Sequence, residues 1–231
     1  MSGKAMSFSQ RFIVALFSAV SGVLFRVHDE QMRRIPAGGP LILYSNHVNI
    51  MELPIFYAHI QPRRVCGLVL SDRWKNPIFH WGLDACGMIP LARGEPNLDS
   101  MKKALRRLEA GDILVIAPEG TRSHNGNLQR AHPGIVPLAL KSNAPLLPLV
   151  YHGGEQYRQN LKRLKRTEFY IEVGKPFYLA EPGEPVTRKV RMQMLDEIMY
   201  QMAALLPPRY RGDYADLPQA TQNYLVFPEE V

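Results

Sequence analysis

A chain of 231 residues, 46% of them hydrophobic, is long enough for one well-filled domain and too apolar to remain disordered. Its 28 Lys and Arg against 21 Asp and Glu leave a formal charge of +7, which suits an anionic membrane, a phosphorylated ligand or nucleic acid. Cys66 and Cys86 have no metal-ligand spacing and form no disulfide framework, which fits a reducing, cytosol-facing setting.

Between Arg11 and Arg26 runs FIVALFSAVSGVLF, 14 uncharged residues. As a helix it would be about 21 Å long, short of a bilayer core of roughly 30 Å. The expected reading is a helix lying in the membrane interface. A plain buried helix is the first alternative. A secretory signal is the second, since Lys4 and Arg11 precede the stretch and Ala19-Val20-Ser21 loosely imitates a cleavage site.

The turn cluster PAGGP at 36–40 separates this segment from the apolar run LILYS, a buried strand at 41–45. Residues 49–60 can be helical, and 65–70 and 88–91 read as strands. Residues 98–109 form a helix that Asn97 or Asp99 can cap, with Met101, Leu105 and Leu108 on one face and Gly111 as its stop. The run ILVIAP at 113–118 is the strongest buried strand, and 146–150 and 169–173 follow it. A helix over 187–206 carries Val190, Met194, Ile198, Met202 and Leu205 along one stripe before Pro207-Pro208 ends it. This alternation predicts an α/β fold: a single domain with a mixed, largely parallel sheet flanked by helices, plus the N-terminal apolar membrane-associating helix. The expected organisation is a membrane-associating segment at 1–35, a catalytic domain at 36–206 and a surface-wrapping tail at 207–231.

No Gly-x-Ser-x-Gly elbow, Walker loop, Gly-x-Gly-x-x-Gly fingerprint or His-Glu-x-x-His pair occurs, so no metal ligand is assigned. The polar residues that stand out follow apolar strands, where open α/β sheets build sites. His47 is a candidate general base and needs a carboxylate to fix its tautomer. Glu52 is five residues on, about 140° around a helix, so the two meet only if His47 lies in the loop or at the helix start and Glu52 turns back from the first turn or two. A capping Asn beside an exposed Glu is the bland alternative. Glu119-Gly120-Thr121-Arg122-Ser123 offers a flexible glycine, two hydroxyls and a guanidinium suited to phosphate; an ordinary polar turn is its alternative. Arg93 ends the 88–91 strand and could converge with Arg122 on one phosphate, or be plain surface charge.

Taken in order, Asn46–Glu52, Gly87–Arg93, Glu119–Ser123 and the apolar APLLPLV at 144–150 resemble the glycerolipid acyltransferase family, which contains the lysophosphatidate acyltransferases. Members carry Asn-His-x4-Asp, Gly-x5-Arg, Glu-Gly-Thr-Arg-Ser and a Pro-containing apolar block. Glu52 stands where the family has aspartate. The resemblance implies transfer of a fatty acyl group from acyl-CoA or an acyl carrier protein thioester to a hydroxyl of a lysophosphatidate or glycerol-phosphate acceptor. His47 would be the base and Glu52 its orienting carboxylate. Asn46, Arg93, Glu119, Gly120, Thr121, Arg122 and Ser123 would bind substrate, without metal or cofactor.

The implied partners are a membrane lipid surface, the acyl thioester and the phosphorylated acceptor, with the protein monotopic or peripheral and facing the cytoplasm. Trp74 and Trp81 among basic residues suit a headgroup layer, or simply pack. The basic run Arg158, Lys162, Arg163, Lys165, Arg166 suits anionic lipid or coenzyme A phosphates, or is a solvated face. It lacks the interleaved aromatic platform that nucleic acid requires. Another lipid acceptor, an inactive lipid-binding relative and a thioesterase are the competing functions.

Overall fold

The structure is a computed structural model that describes residues 6–92, 98–183 and 185–228. Helix α1 (Phe8–Leu24) opens on a reciprocal cap: Ser7 Oγ accepts from the Gln10 N–H at 3.2 Å, and Gln10 Oε1 accepts from the Ser7 N–H at 2.9 Å. Strand β1 (Phe25–His28) follows directly. Next come β2 (Leu41–Ser45), α2 (Glu52–His59), β3 (Val65–Leu70), α3 (Pro77–Ala85), β4 (Ile89–Leu91), α4 (Leu98–Glu109) and β5 (Ile113–Ile116). The second half holds α5 (Ile135–Ser142), β6 (Leu146–His152), α6 (Tyr157–Lys162), β7 (Thr167–Val173), β8 (Tyr178–Leu179), α7 (Arg188–Leu205) and β9 (Leu225–Val226).

Seven strands form one sheet in the order β1-β7-β6-β2-β5-β3-β4. From β6 to β4 every pairing is parallel; β7 runs against β6, and β1 lies parallel to β7. The sheet is therefore mixed and largely parallel. All five residues of β2 are buried. Ile42 and Tyr44 join one core with α4, α5 and α7, while Leu41 and Leu43 join the other with α1 and α2. Burial on both faces explains why the central strands read as continuous apolar runs instead of alternating. The Tyr44 hydroxyl donates to the Ile198 carbonyl at 3.0 Å, which ties the central strand to α7.

The N-terminal apolar stretch divides. Its last residue, Phe25, is fully buried and opens β1, paired with Thr167, while the helix reaches back through Arg11 to Phe8. Seventeen residues make a helix of about 26 Å. Among the described residues no helix is long and apolar enough to cross a membrane. Ile13 is buried in the core and Phe17 meets Tyr57 of α2 edge-on at 6.3 Å, so one face of α1 is docked. Phe8, Phe12, Leu16, Val20 and Val23 remain exposed on the other.

Three helices escape the sequence reading, among them the short α6, which falls in the basic run. In α5, Pro137 sits in the first turn, where its missing N–H costs no hydrogen bond, so a residue that looks like a breaker is compatible with the helix. In α3, the aromatic segment read as a headgroup element forms a helix whose Trp81 meets Phe12 edge-on at 6.4 Å. The tail is pinned rather than loose. Glu197 of α7 is buried, and its carboxylate accepts from Thr221 Oγ1 at 2.6 Å, Asn223 N at 3.0 Å and Tyr224 N at 2.9 Å. Met194, Met199 and Met202 are core residues with no exposure.

Candidate active site

Strands β2, β5 and β6 end at one edge of the sheet, and the polar loops that leave them meet there. After Ser45 the chain departs from the sheet, and Asn46 replaces a lost ladder contact with its side chain. Its Nδ2 donates to the Tyr151 carbonyl and its Oδ1 accepts from the Tyr151 N–H, each at 2.8 Å, both buried. The Asn46 amide thus fixes the path of the next residue, His47. Asn49 Oδ1 then accepts from the Met51 N–H at 2.7 Å, a local turn that starts α2 at Glu52.

His47 lies in the loop and Glu52 is the first residue of α2, one of the arrangements the five-residue spacing permits. His47 Nδ1 is 2.7 Å from Glu52 Oε2. The other carboxylate oxygen accepts from the N–H groups of Val48 and Asn49, each at 2.8 Å. The Glu52 side chain is 4% exposed and the His47 side chain 36%. One member of the pair is thus a buried, fully bonded acceptor. The other presents Nε2, which has no partner among the described residues. Burial raises the Glu52 carboxyl above the usual carboxylate range, opposed by His47 and the two main-chain donors.

The second loop grips the main chain of the first. Glu119 Oε1 accepts from the His47 N–H at 3.1 Å, and the Ser123 N–H donates to the His47 carbonyl at 2.8 Å. Both backbone groups of His47 are therefore held by the Glu119–Ser123 loop. The other Glu119 oxygen accepts from the main chain of Gln129 at 3.0 Å and its side chain at 3.3 Å. Burial pushes the Glu119 carboxyl up to about 7, against the lowering effect of the Gln129 and His47 donors. Gly120 sits at φ +66°, and a Cβ there would stand 3.0 Å from His132 Cδ2, so the turn requires glycine.

Thr121 is exposed and Arg122 half-buried, with no ion-pair partner for Arg122 among the described residues. The Ser123 hydroxyl is buried without a hydrogen-bond partner. Arg93 lies outside the described residues. Sequence reasoning missed Gln129 and Tyr151, whose parts are played by main-chain groups or by contacts across ten and more residues and so leave no local pattern. A cavity of about 720 Å³ lies between α7 and the tail, and none of the described site candidates lines it. A second, about 530 Å³, adjoins the site loop through Asn125 and Gly153. Among the described residues no cluster of three His, Cys, Asp or Glu side chains is placed to hold a metal ion.

An α/β sheet whose parallel strands deliver a buried carboxylate and a half-exposed histidine to one edge defines a protein suited to deprotonating a hydroxyl. The acyltransferase family model matches residues 26–152, more than half of the chain, and the chain belongs to that family. It is 25% identical over 146 residues to a chloroplastic 1-acyl-sn-glycerol-3-phosphate acyltransferase of Brassica napus, covering 62% of this chain and 42% of that protein. It is 24% identical over 168 residues to the 1-acyl-sn-glycerol-3-phosphate acyltransferase of Bacillus subtilis, covering 72% of this chain and 81% of the other. The chain thus spans about two-fifths of the length of the chloroplast relative and four-fifths of the bacterial one. Its fold is that of the 1-acyl-sn-glycerophosphate acyltransferase PlsC of Thermotoga maritima, with a TM-score of 0.62 at 17% identity over 85% of this chain and 78% of that one.

Proposed function

We propose that this protein transfers a fatty acyl group from a thioester of coenzyme A or acyl carrier protein to a hydroxyl of a lysophosphatidate-type acceptor at a membrane surface. The observation that carries this reading is the His47–Glu52 pair, held at 2.7 Å in a loop whose main chain is clamped by Glu119 and Ser123. With Nδ1–H donated to Glu52, Nε2 is the acceptor nitrogen. It takes the proton of the acceptor hydroxyl as the oxygen adds to the thioester carbonyl. Glu52 stabilises the imidazolium formed. The tetrahedral adduct collapses by breaking its C–S bond, and His47 returns the proton to the departing thiolate, leaving an ester and a free thiol. Arg122 and Arg93 hold the acceptor phosphate, and the unpaired Ser123 hydroxyl is available to a ligand oxygen.

The membrane reading rests on α1, whose outer face carries Phe8, Phe12, Leu16, Val20 and Val23, with Trp81 alongside. This face lies in one leaflet, and the protein is monotopic or peripheral on the cytoplasmic side. The test presents one labelled acyl thioester to a panel of lysophosphatidate, lysophospholipids, aminolipids and water, and follows products by mass. Acylated lysophosphatidate formed by the wild type and not by His47→Ala is the expected result. Free fatty acid as the only product would overturn it in favour of a thioesterase.

A further inference from the structure

The basic segment Arg158–Arg166 has no place in the chemistry above, yet the topology puts it beside the site. Because β1 and β7 run against the parallel strands, they begin at the edge where β2, β5 and β6 end. The register Phe25↔Thr167 sets the last turn of α1 next to the turn that precedes β7. Arg166 Nε donates to the Phe25 carbonyl at 3.0 Å, fastening the two together. On the other side, Asn49 of the His47 loop reaches Gly154, three residues before α6, at 3.4 Å. The α6–β7 turn is thus fastened to the end of α1, and the segment that leads into α6 to the histidine loop.

Its surface combines charge with unprotected hydrocarbon. Leu164 is 94% exposed and Leu161 48% exposed. Leu164 also holds φ +53°, a conformation that leucine rarely adopts and that asparagine or glycine would fill at lower cost. Lys162, Arg163 and Lys165 flank it, all exposed and without ion-pair partners among the described residues. The neighbouring carboxylates are engaged: Glu168 with Arg26 at 3.2 Å and His28 at 2.8 Å, Glu155 with the Gly153 N–H at 3.0 Å. A single exposed leucine on a protein surface needs no explanation. An outward leucine in an unfavourable backbone conformation, flanked by cations without ion-pair partners among the described residues and fastened through Arg166 to the residue that ends α1, matches an anionic bilayer: hydrocarbon for the leucine, headgroup phosphates for the bases.

We propose that the α6–β7 turn is a second membrane contact, selective for anionic phospholipid, which with α1 turns the His47 edge of the sheet toward the lipid surface. It rests on the membrane reading of α1 given above. The experiment is vesicle co-sedimentation of the full chain with phosphatidylcholine alone or mixed with phosphatidylglycerol. Wild type prefers the mixed vesicles, and added salt weakens the preference. Changing Lys162, Arg163 and Lys165 together to Gln lowers affinity for mixed vesicles by about 100-fold and leaves binding to phosphatidylcholine unaltered. Leu164→Asn weakens binding to both vesicles while raising Tm, because asparagine tolerates the positive φ. An unchanged lipid preference in the triple variant, or an equal loss on both vesicles, overturns the proposal. Turnover of a short-chain, water-soluble acceptor is followed in parallel. Its absence in the wild type would sink the catalytic reading alone, whereas turnover without lipid preference would sink this one alone.

Discussion

At the scale of single residues, the pair His47–Glu52 makes predictions that separate chemistry from folding. His47→Ala removes the proposed base and should lower turnover by about 10²–10⁴ without unfolding the protein. Glu52→Gln is the more telling change. The glutamine carbonyl can still accept from Val48 and Asn49, but its NH₂ then faces His47 Nδ1 and donates to it. That places the imidazole proton on Nε2, the nitrogen that must accept one, so turnover falls by about 10⁴ while Tm holds. Glu52→Asp keeps the charge one methylene short and retains more activity than Glu52→Gln; equal activity in wild type and Glu52→Gln would remove the dyad. Glu119 carries a pH signature. Burial holds its folded carboxyl at about 7, above the ordinary 4.5, so across that range the folded state holds a proton that the unfolded state releases. Its stabilising contribution is complete below about pH 4.5, is lost as pH rises through 7, and is flat beyond. Glu119→Gln should flatten the fall of Tm with pH across that window, measured by thermal melts.

At the scale of elements, two side chains carry connections beyond the last rungs of the strand ladders. Asn46 links the end of β2 to Tyr151 of β6 through both main-chain groups of that residue. Asn46→Ala leaves a buried N–H and a buried C=O unpaired, a loss of about 2–4 kcal/mol, and frees the His47 loop. Activity should fall together with stability in urea melts, which distinguishes Asn46 from a residue that only touches substrate. Glu197 holds the tail to α7 with three hydrogen bonds. Glu197→Ala should expose the segment after Tyr210 to proteolysis while the domain core stays resistant. Cleavage at the wild-type rate would show that the tail is held by its tyrosines instead.

At the scale of the whole molecule, α1 is both an outer surface and part of the core. Ile13 and Phe17 pack inward, and Phe25, which follows directly, is fully buried. Removing the segment through Phe25 would therefore damage the fold, so the membrane role is tested by changing the outer face alone. Phe8→Ser with Phe12→Ser and Val23→Ser should release the protein from vesicles with Tm little changed. Cysteines placed at Met6 and Glu30 should react with an impermeant label from the same side of the bilayer, since a helix of about 26 Å falls short of a core of about 30 Å. Labelling from opposite sides would show a span.

Local pattern alone determined the central strands, α4, α7 and the order of the polar blocks, because burial on two faces leaves long apolar runs and an amphipathic helix leaves a 3.6-residue period. It also limited how His47 and Glu52 could meet, since five residues on a helix point apart and only a loop–helix junction brings them together. It left β1 unassigned, because only Phe25 of its four residues lies in the apolar stretch and FRVH has no strand pattern until β7 supplies the pairing. It left α5 unassigned, because Pro137 reads as a breaker until its place in the first turn is known. The grip of Glu119 and Ser123 on the His47 backbone, and of Asn46 on Tyr151, was decided only by the tertiary structure. These are contacts to main-chain groups, which every residue possesses, across 72 to 105 positions, so no side-chain pattern marks them in advance.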